Sequence, residues 1–262
     1  SNTTGHLWAR DNFDARSHFP PSRCRRSSCR QWTRSMLMLD GPDTFVDTGE
    51  ANHGKDLMKT QPIRTELTKA AQARQCLGDR TVVFVGLMGA GKSVIGKMTA
   101  AAMQVPFVDS DHEIEHVSRM SIADLFEKYG EVEFRALEAR VISRLLKGGP
   151  MVLSTGGGAF MQESVRADIK ESGLSVWLRA DLDVLWERVK RRYHRPLLKT
   201  ADPKATLSAL LGARYPIYGE ADMIVQSRDT GKEIIVDEVL EAIIAYAAVS
   251  SKQTVRGSNN ER

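Results

Sequence analysis

The chain has 262 residues, enough for one α/β domain with an appendage or for two small domains. Apolar residues make up 42% and charged residues 27%, as in ordinary globular proteins, and no run approaches the roughly 20 apolar residues of a membrane-spanning helix. The net charge of +4 arises mainly before residue 80, since residues 80–262 hold 25 Lys and Arg against 24 Asp and Glu; we therefore expect neither a nucleic-acid partner nor a membrane partner.

Residues 1–78 are predicted to form a disordered N-terminal extension. The Arg- and Ser-rich stretch Arg16–Arg34 has no helix or strand periodicity, although a short helix around Pro62–Cys76 is compatible with the pattern. This stretch has the composition of an organelle transit peptide, which would place the protein in a plastid. A dispensable extension of a cytoplasmic protein is the favoured interpretation, and three cysteines without a paired framework agree with a reducing compartment.

Residues 79–249 alternate between short apolar strands and helical patterns. The predicted strands are Thr81–Val85, Val105–Asp109, Met151–Ser154, Ser175–Leu178 and Met223–Val225. The predicted helices are Lys92–Met103, Ser121–Tyr129, Glu131–Leu146, Gln162–Ser172, Asp181–Arg192, Pro203–Tyr218 and Lys232–Ala247. This order predicts an α/β fold, a five-stranded parallel sheet with helices on both faces, followed by a disordered tail at residues 250–262.

The sequence Gly86-Leu-Met-Gly-Ala-Gly-Lys-Ser93 is a phosphate-binding loop placed between a strand and a helix. Its glycines let backbone N–H groups surround a phosphate, and the helix directs its positive end at the same anion. Lys92 is expected to reach the β- and γ-phosphates, and the Ser93 hydroxyl to ligate Mg²⁺. The candidate nucleotide-binding residues here are Gly89, Ala90, Gly91, Lys92, Ser93 and Val94.

Two carboxylates mark the end of the second predicted strand. Asp109 and Asp111 are two residues apart and can face the same crevice at the carboxyl edge of the sheet. One could hold the Mg²⁺ shell and the other accept a hydroxyl proton, but an Asp turn that caps the next helix explains the pair equally well.

Candidate acceptor-binding residues follow in the next two segments. Arg135 and Glu138 are neighbours on one helix face, either as a solvated surface pair or as a guanidinium oriented to bind a carboxylate. The run Gly156, Gly157 and Gly158 after the third strand favours close approach of a ligand to the backbone over a plain turn.

The most basic run of the domain extends from Arg188 to Arg195. It is either a solvated helix end or the start of a mobile lid, because the loop that follows is bracketed by Pro196 and Pro203. Arg214 is a further cation near a helix end.

In order, the pieces G-L-M-G-A-G-K-S, D-S-D, S-I-A-D-L-F, G-E-x-x-F-R-x-L-E, S-T-G-G-G-A, R-P-L-L and R-x-P-x-Y resemble the shikimate kinase family over Arg80–Ile244. The resemblance implies ATP-dependent phosphorylation of the shikimate 3-hydroxyl, Mg²⁺ as cofactor and a three-layer fold with a mobile lid. We expect a monomer. A gluconate kinase and a catalytically silent nucleotide-binding relative are the alternatives, and the presence of Lys92, Asp111 and Arg195 speaks against the silent one.

The resemblance also implies a role for each candidate residue. The implied catalytic residues are Lys92, Asp111 and Arg195, and the implied metal-binding residues are Ser93 and Asp109. The remaining implied contacts are Arg188, Arg195 and Arg228 for the nucleotide, and Asp111, Arg135, Gly156, Gly157, Gly158 and Arg214 for shikimate.

Overall fold

A computed structural model describes residues 67–190 and 201–257, with side chains described up to residue 249. Its strands are β1 (Thr81–Val85), β2 (Phe107–Asp109), β3 (Val152–Ser154), β4 (Gly173–Arg179) and β5 (Met223–Gln226). They form one sheet in the order β2-β3-β1-β4-β5, and every neighbouring pair is parallel. The predicted five-stranded parallel sheet is confirmed.

The helices are α1 (Lys69–Leu77), α2 (Lys92–Met103), α3 (Ser110–Ser118), α4 (Ile122–Leu146), α5 (Glu163–Ser172), α6 (Leu182–Val189), α7 (Pro203–Tyr218) and α8 (Lys232–Gly257), with a 3₁₀ turn at Ala159–Met161. The bounds of α2 and α7 agree with the prediction. The two helices predicted around Gly130 form one kinked element, α4, because Gly130 has non-helical backbone angles of φ 80° and ψ 175°.

The central strand β1 explains why the sheet forms where it does. All five of its residues are buried, as expected for β-branched and aromatic side chains covered by helices on both faces. Val83 lies between Leu153 of β3 and Ser175 of β4 in the parallel register. This register brings the carboxyl ends of β1, β2 and β3 to one edge, where the candidate site residues begin.

Helix α1 lies before the predicted domain at residues 79–249, and helix α8 reaches beyond its end. Helix α1 contributes Ala73 and Leu77 to the main hydrophobic core, and the Lys69 ammonium pairs with Asp237 and Glu241 of α8 at 2.5 and 2.7 Å. Helix α8 continues to Gly257, past the predicted end of the domain. The disorder predicted for the rest of the N-terminal extension lies outside the described residues.

None of the helices in the described ranges is long and apolar enough to cross a membrane.

Candidate active site

The phosphate loop connects β1 to α2 through three glycines with positive φ. Gly86, Gly89 and Gly91 have φ values of 136°, 84° and 98°. A Cβ at Gly86 would lie 2.8 Å from the carbonyl oxygen of Leu178, so this position requires glycine for space as well as for conformation. The close approach of β4 therefore restricts the residue type that this position of the loop can hold.

The cation and the hydroxyl predicted for the phosphates stand at the start of α2. Lys92 Nζ donates to the carbonyl oxygens of Gly86 at 2.7 Å and Leu87 at 3.1 Å, which keeps the ammonium folded over the loop. Ser93 Oγ donates to Asp109 Oδ2 at 2.8 Å. A cation, a hydroxyl and a carboxylate therefore line the same cavity beside the loop.

Ser93 and Asp109 are a suitable donor set for Mg²⁺. Both provide hard oxygen ligands, and Ser154 Oγ lies 3.4 Å from Ser93 Oγ. Within the described ranges no cluster of three or more His, Cys, Asp or Glu could hold a metal alone. A nucleotide-bound Mg²⁺ takes only one or two protein ligands beside phosphate oxygens and water, so a hydroxyl–carboxylate pair is the expected form.

The two carboxylates at the end of β2 differ in their contacts and in their burial. Asp109 Oδ1 accepts a hydrogen bond of 3.1 Å from the Asp111 backbone N–H and so caps α3, while Oδ2 faces Ser93. The capping interpretation of Asp109 is confirmed, and its second oxygen is left facing the hydroxyl of the phosphate loop. Burial raises the pKa of Asp111, the Asp109 charge raises it further, and Lys92 opposes the shift. Such a carboxylate, close to a cation in a cleft, is suited to accept a proton.

Arg135 and Glu138 are not a solvated surface pair. The Glu138 side chain is 1% exposed; its Oε2 accepts from Arg135 Nη1 at 2.7 Å and from Gln162 Nε2 at 3.0 Å. Burial raises the pKa of Glu138, and the Arg135 charge opposes that rise. The second carboxylate neighbour of Arg135, Glu131, is mostly exposed. The guanidinium is thereby held in one orientation and remains partly open to a ligand.

The glycine run after β3 is the place where the predicted acceptor residues meet. A Cβ at Gly156 would lie 2.8 Å from Asp111 Oδ1, and one at Gly158 would lie 2.6 Å from Arg135 Cζ. Arg214 Nη1 donates to the Gly157 carbonyl oxygen at 2.9 Å. The structure therefore brings Asp111, Arg135 and Arg214 together around the three glycines, as the proposed site requires.

The Gly157 carbonyl oxygen has a second donor that the sequence did not indicate. The Tyr218 hydroxyl also donates to it from the core. Burial raises the pKa of Tyr218 to about 12, so the phenol keeps its proton at neutral pH and remains a donor.

Two cavities open at this edge of the sheet. One, of about 610 Å³, is bounded by α4, the glycine run and Arg214. The other, of about 620 Å³, is bounded by the phosphate loop, Asp109, Arg188 and the segment after β5. Four residues line both cavities: Met88, Asp111, Gly156 and Gly157. A reacting group in one cavity can therefore meet a group bound in the other at Asp111.

Two of the predicted nucleotide-binding arginines, Arg188 and Arg228, line the second cavity. Arg188 donates to the Gly89 carbonyl oxygen at 3.3 Å and to the Arg228 carbonyl oxygen at 2.8 Å. The exposed Arg228 side chain pairs with Glu238 of α8. The predicted lid residue Arg195 lies outside the described residues.

Several residues of the site escaped the sequence analysis. Phe126 and Phe134 line the first cavity, and their rings lie 5.9 and 5.2 Å from the Arg135 guanidinium carbon. Their apolar spacing on α4 is also that of ordinary core residues, so only their proximity to Arg135 in sequence could have pointed to them. Gln162 and Ser227 carry no local signal, because their partners come from distant parts of the chain.

The sheet order, the phosphate loop and an adjoining cavity with fixed guanidinium groups define a kinase that phosphorylates a small anionic metabolite. A sequence model of shikimate kinase matches residues 88–244, and the chain belongs to the shikimate kinase family. The match confirms the predicted family and does not support the alternative of a gluconate kinase.

The relatives agree with this assignment. The shikimate kinase of Rhizobium meliloti (strain 1021) is 62% identical over 184 residues, which cover 70% of this chain and 95% of that protein. That of Rhizobium leguminosarum bv. trifolii (strain WSM2304) is 63% identical over 173 residues, covering 66% and 88%. Among solved structures, shikimate kinase from Acinetobacter baumannii in complex with shikimate is 34% identical with a TM-score of 0.62, covering 66% of this chain and 97% of that one.

Proposed function

We propose that the protein transfers the γ-phosphate of ATP to the 3-hydroxyl of shikimate, giving shikimate 3-phosphate and ADP. The observation that carries this proposal is the pair of cavities that meet at Asp111 and the glycine run. One has the phosphate loop of a nucleotide site. The other has the guanidinium groups and the small backbone wall that suit an anionic polyol.

On the nucleotide side, the loop amides and the positive end of α2 bind the phosphates, and the Lys92 ammonium, which lies over the loop, supplies a positive charge. Arg188 and the segment at Arg228 flank the base. Ser93 and Asp109 would hold Mg²⁺, which would neutralise charge on the transferred phosphate. These assignments rest on the loop geometry and on the 2.8 Å contact between Ser93 and Asp109.

On the acceptor side, Arg135 and Arg214 bind the shikimate carboxylate against the backbone of the glycine run. Guanidinium groups recognise carboxylates through paired hydrogen bonds, and Glu138 limits the freedom of Arg135 before the substrate arrives. The aromatic rings of Phe126 and Phe134 line the same cavity and offer an apolar surface to the shikimate ring.

The Asp111 carboxylate accepts the proton of the 3-hydroxyl as the hydroxyl oxygen attacks the γ-phosphorus. The bond between that phosphorus and the bridging oxygen breaks, and ADP leaves. Burial raises the pKa of Asp111, which makes its carboxylate a stronger base than that of an ordinary Asp. The role proposed for Arg195 is to neutralise charge on the transferred group.

A coupled assay of the full chain with MgATP tests the activity, with shikimate and gluconate offered in parallel. ADP release with shikimate and none above background with gluconate is the expected result. ADP release with gluconate alone, or with neither acceptor, would overturn the proposal.

Two variants separate the acceptor site from the lid. Arg135→Ala should raise the shikimate KM by an amount worth roughly 2–5 kcal/mol and leave the ATP KM unchanged. Arg195→Ala should lower kcat by on the order of 10³ to 10⁵, and a near-normal kcat would refute the lid role.

We also propose that the protein acts as a monomer in the cytoplasm, the plastid location remaining the alternative. Gel filtration of the full chain at assay concentration tests the first part, and a dimer peak would overturn it.

A further inference from the structure

Two carbonyl oxygens of the phosphate loop accept hydrogen bonds from side chains outside the loop. The Ala90 oxygen accepts a hydrogen bond of 2.7 Å from Ser227 Oγ, and the Gly89 oxygen accepts one of 3.3 Å from Arg188 Nη1. The same Arg188 nitrogen donates to Ser227 Oγ at 2.9 Å. Ser227 and Arg188 thus form one connected network behind the loop.

Ser227 is held firmly in the fold, so its hydroxyl can restrain the loop. It follows β5 directly, its backbone N–H donates to the Arg179 carbonyl oxygen at 2.6 Å, and the residue is 1% exposed. A hydroxyl has one proton to donate and can accept in addition. Since Arg188 supplies the hydrogen bond that Ser227 accepts, the Ser227 proton is directed to Ala90.

The direction of one carbonyl decides the direction of the next amide. In a trans peptide the C=O and the N–H point in opposite directions, so holding the Ala90 oxygen turns the Gly91 N–H away from Ser227. Gly91 has a φ of 98° and lines the nucleotide cavity. Glycine imposes no conformation of its own here, and the peptide needs an external contact to keep its orientation.

We propose that Ser227 is a positioning residue for ATP binding, which orients the Ala90–Gly91 peptide so that its N–H faces the phosphates. The inference rests on the proposed function, because it requires that the loop bind a nucleotide. It assigns to the segment after β5 a role in phosphate binding, in addition to any contact with the base.

The test compares two buried serines in the full chain. Ser227→Ala removes the hydroxyl behind the loop. Ser175→Ala is the matched control, since Ser175 is 3% exposed and its hydroxyl donates to Asp222 at 2.6 Å, on a strand outside the nucleotide cavity. Thermal unfolding of both variants reports the structural effect alone, and calorimetric titration with MgADP reports binding.

Ser227→Ala should raise the MgADP dissociation constant about tenfold, the size expected when a buried carbonyl loses its donor. The shikimate KM should stay within twofold of the wild type. Ser175→Ala should keep MgADP binding within twofold even if it unfolds at a lower temperature. Ser227→Thr, which retains the hydroxyl, should recover most of the affinity, and equal affinities of Ser227→Ala and Ser227→Thr would refute the role.

A base-free ligand separates phosphate positioning from base recognition. Inorganic tripolyphosphate, competing with ATP, should show an inhibition constant raised by Ser227→Ala to the same degree as the MgADP constant. An unchanged constant for tripolyphosphate would show that Ser227 acts on the base, and would overturn the proposal. Failure of the wild type to bind MgADP would instead overturn the proposed function.

Discussion

Gly158→Ala should weaken shikimate binding by displacing Arg135 without unfolding the protein. Gly158 has φ −101° and ψ −14°, which alanine adopts without strain. The new Cβ would lie 2.6 Å from Arg135 Cζ, whereas carbon atoms in contact are separated by about 3.5–4.0 Å. The guanidinium must therefore move by about 1 Å, and it can, because it is the end of a flexible side chain.

A displacement of this size is large for a bidentate contact. It stretches the 2.7 Å bond between Arg135 and Glu138 and moves both guanidinium donors away from a bound carboxylate. Displacing a positioning group by about 1 Å can lower the catalytic rate about a hundredfold. Because Arg135 acts through substrate binding, we expect the displacement to raise the shikimate KM between about ten- and a hundredfold. The ATP KM should remain unchanged, because the Arg135 side chain does not line the nucleotide cavity.

Steady-state kinetics with each substrate varied in turn measures this effect. Gly212→Ala is the control for a general glycine-to-alanine effect, since nothing lies within 4 Å of a Cβ at that site on α7. Gly158→Ala should add almost nothing in an Arg135→Ala background, because the group it displaces is gone. A shikimate KM within twofold of the wild type, or a full additional loss in the double variant, would refute the reasoning.

Three further outcomes are expected. Asp111→Asn should lower kcat by on the order of 10² to 10⁴, because it removes the proposed proton acceptor. The same variant should raise the unfolding temperature at pH 7.5, because the fold raises the pKa of Asp111 above 3.8 and so disfavours the ionised carboxylate. That gain in stability should vanish as the pH falls through the folded pKa towards 3.8, as followed by thermal unfolding. Leu77→Ala should cost about 2–5 kcal/mol in urea unfolding, whereas Leu67→Ala, 45% exposed, should stay within about 0.5 kcal/mol; equal losses would contradict the packing of α1. Lys92→Ala should lower kcat by on the order of 10² to 10³ in the coupled assay, and an unchanged kcat would exclude its role in transfer.

The elements with a strong local pattern were predictable. β1 was recognised by its β-branched run and α2 by its position after the loop, and both have the predicted bounds. Helix α1 was placed in the extension, because only Ala73 and Leu77 of its nine residues are buried and such a sparse apolar pattern barely differs from that of a polar segment.

What the sequence by itself determined is the chemistry that lies within one continuous segment. Gly86–Ser93 predicts a phosphate site because all the atoms of the cradle belong to neighbouring residues. The tertiary structure alone decided between the two interpretations of Arg135 and Glu138. Whether the two residues form a solvated pair or an oriented ligand-binding pair depends on burial. Glu138 is buried because Gln162 and Gly156, from a distant part of the chain, pack against it. For the same reason Ser227 was invisible in the sequence, since its hydrogen bond to Ala90 spans 137 positions.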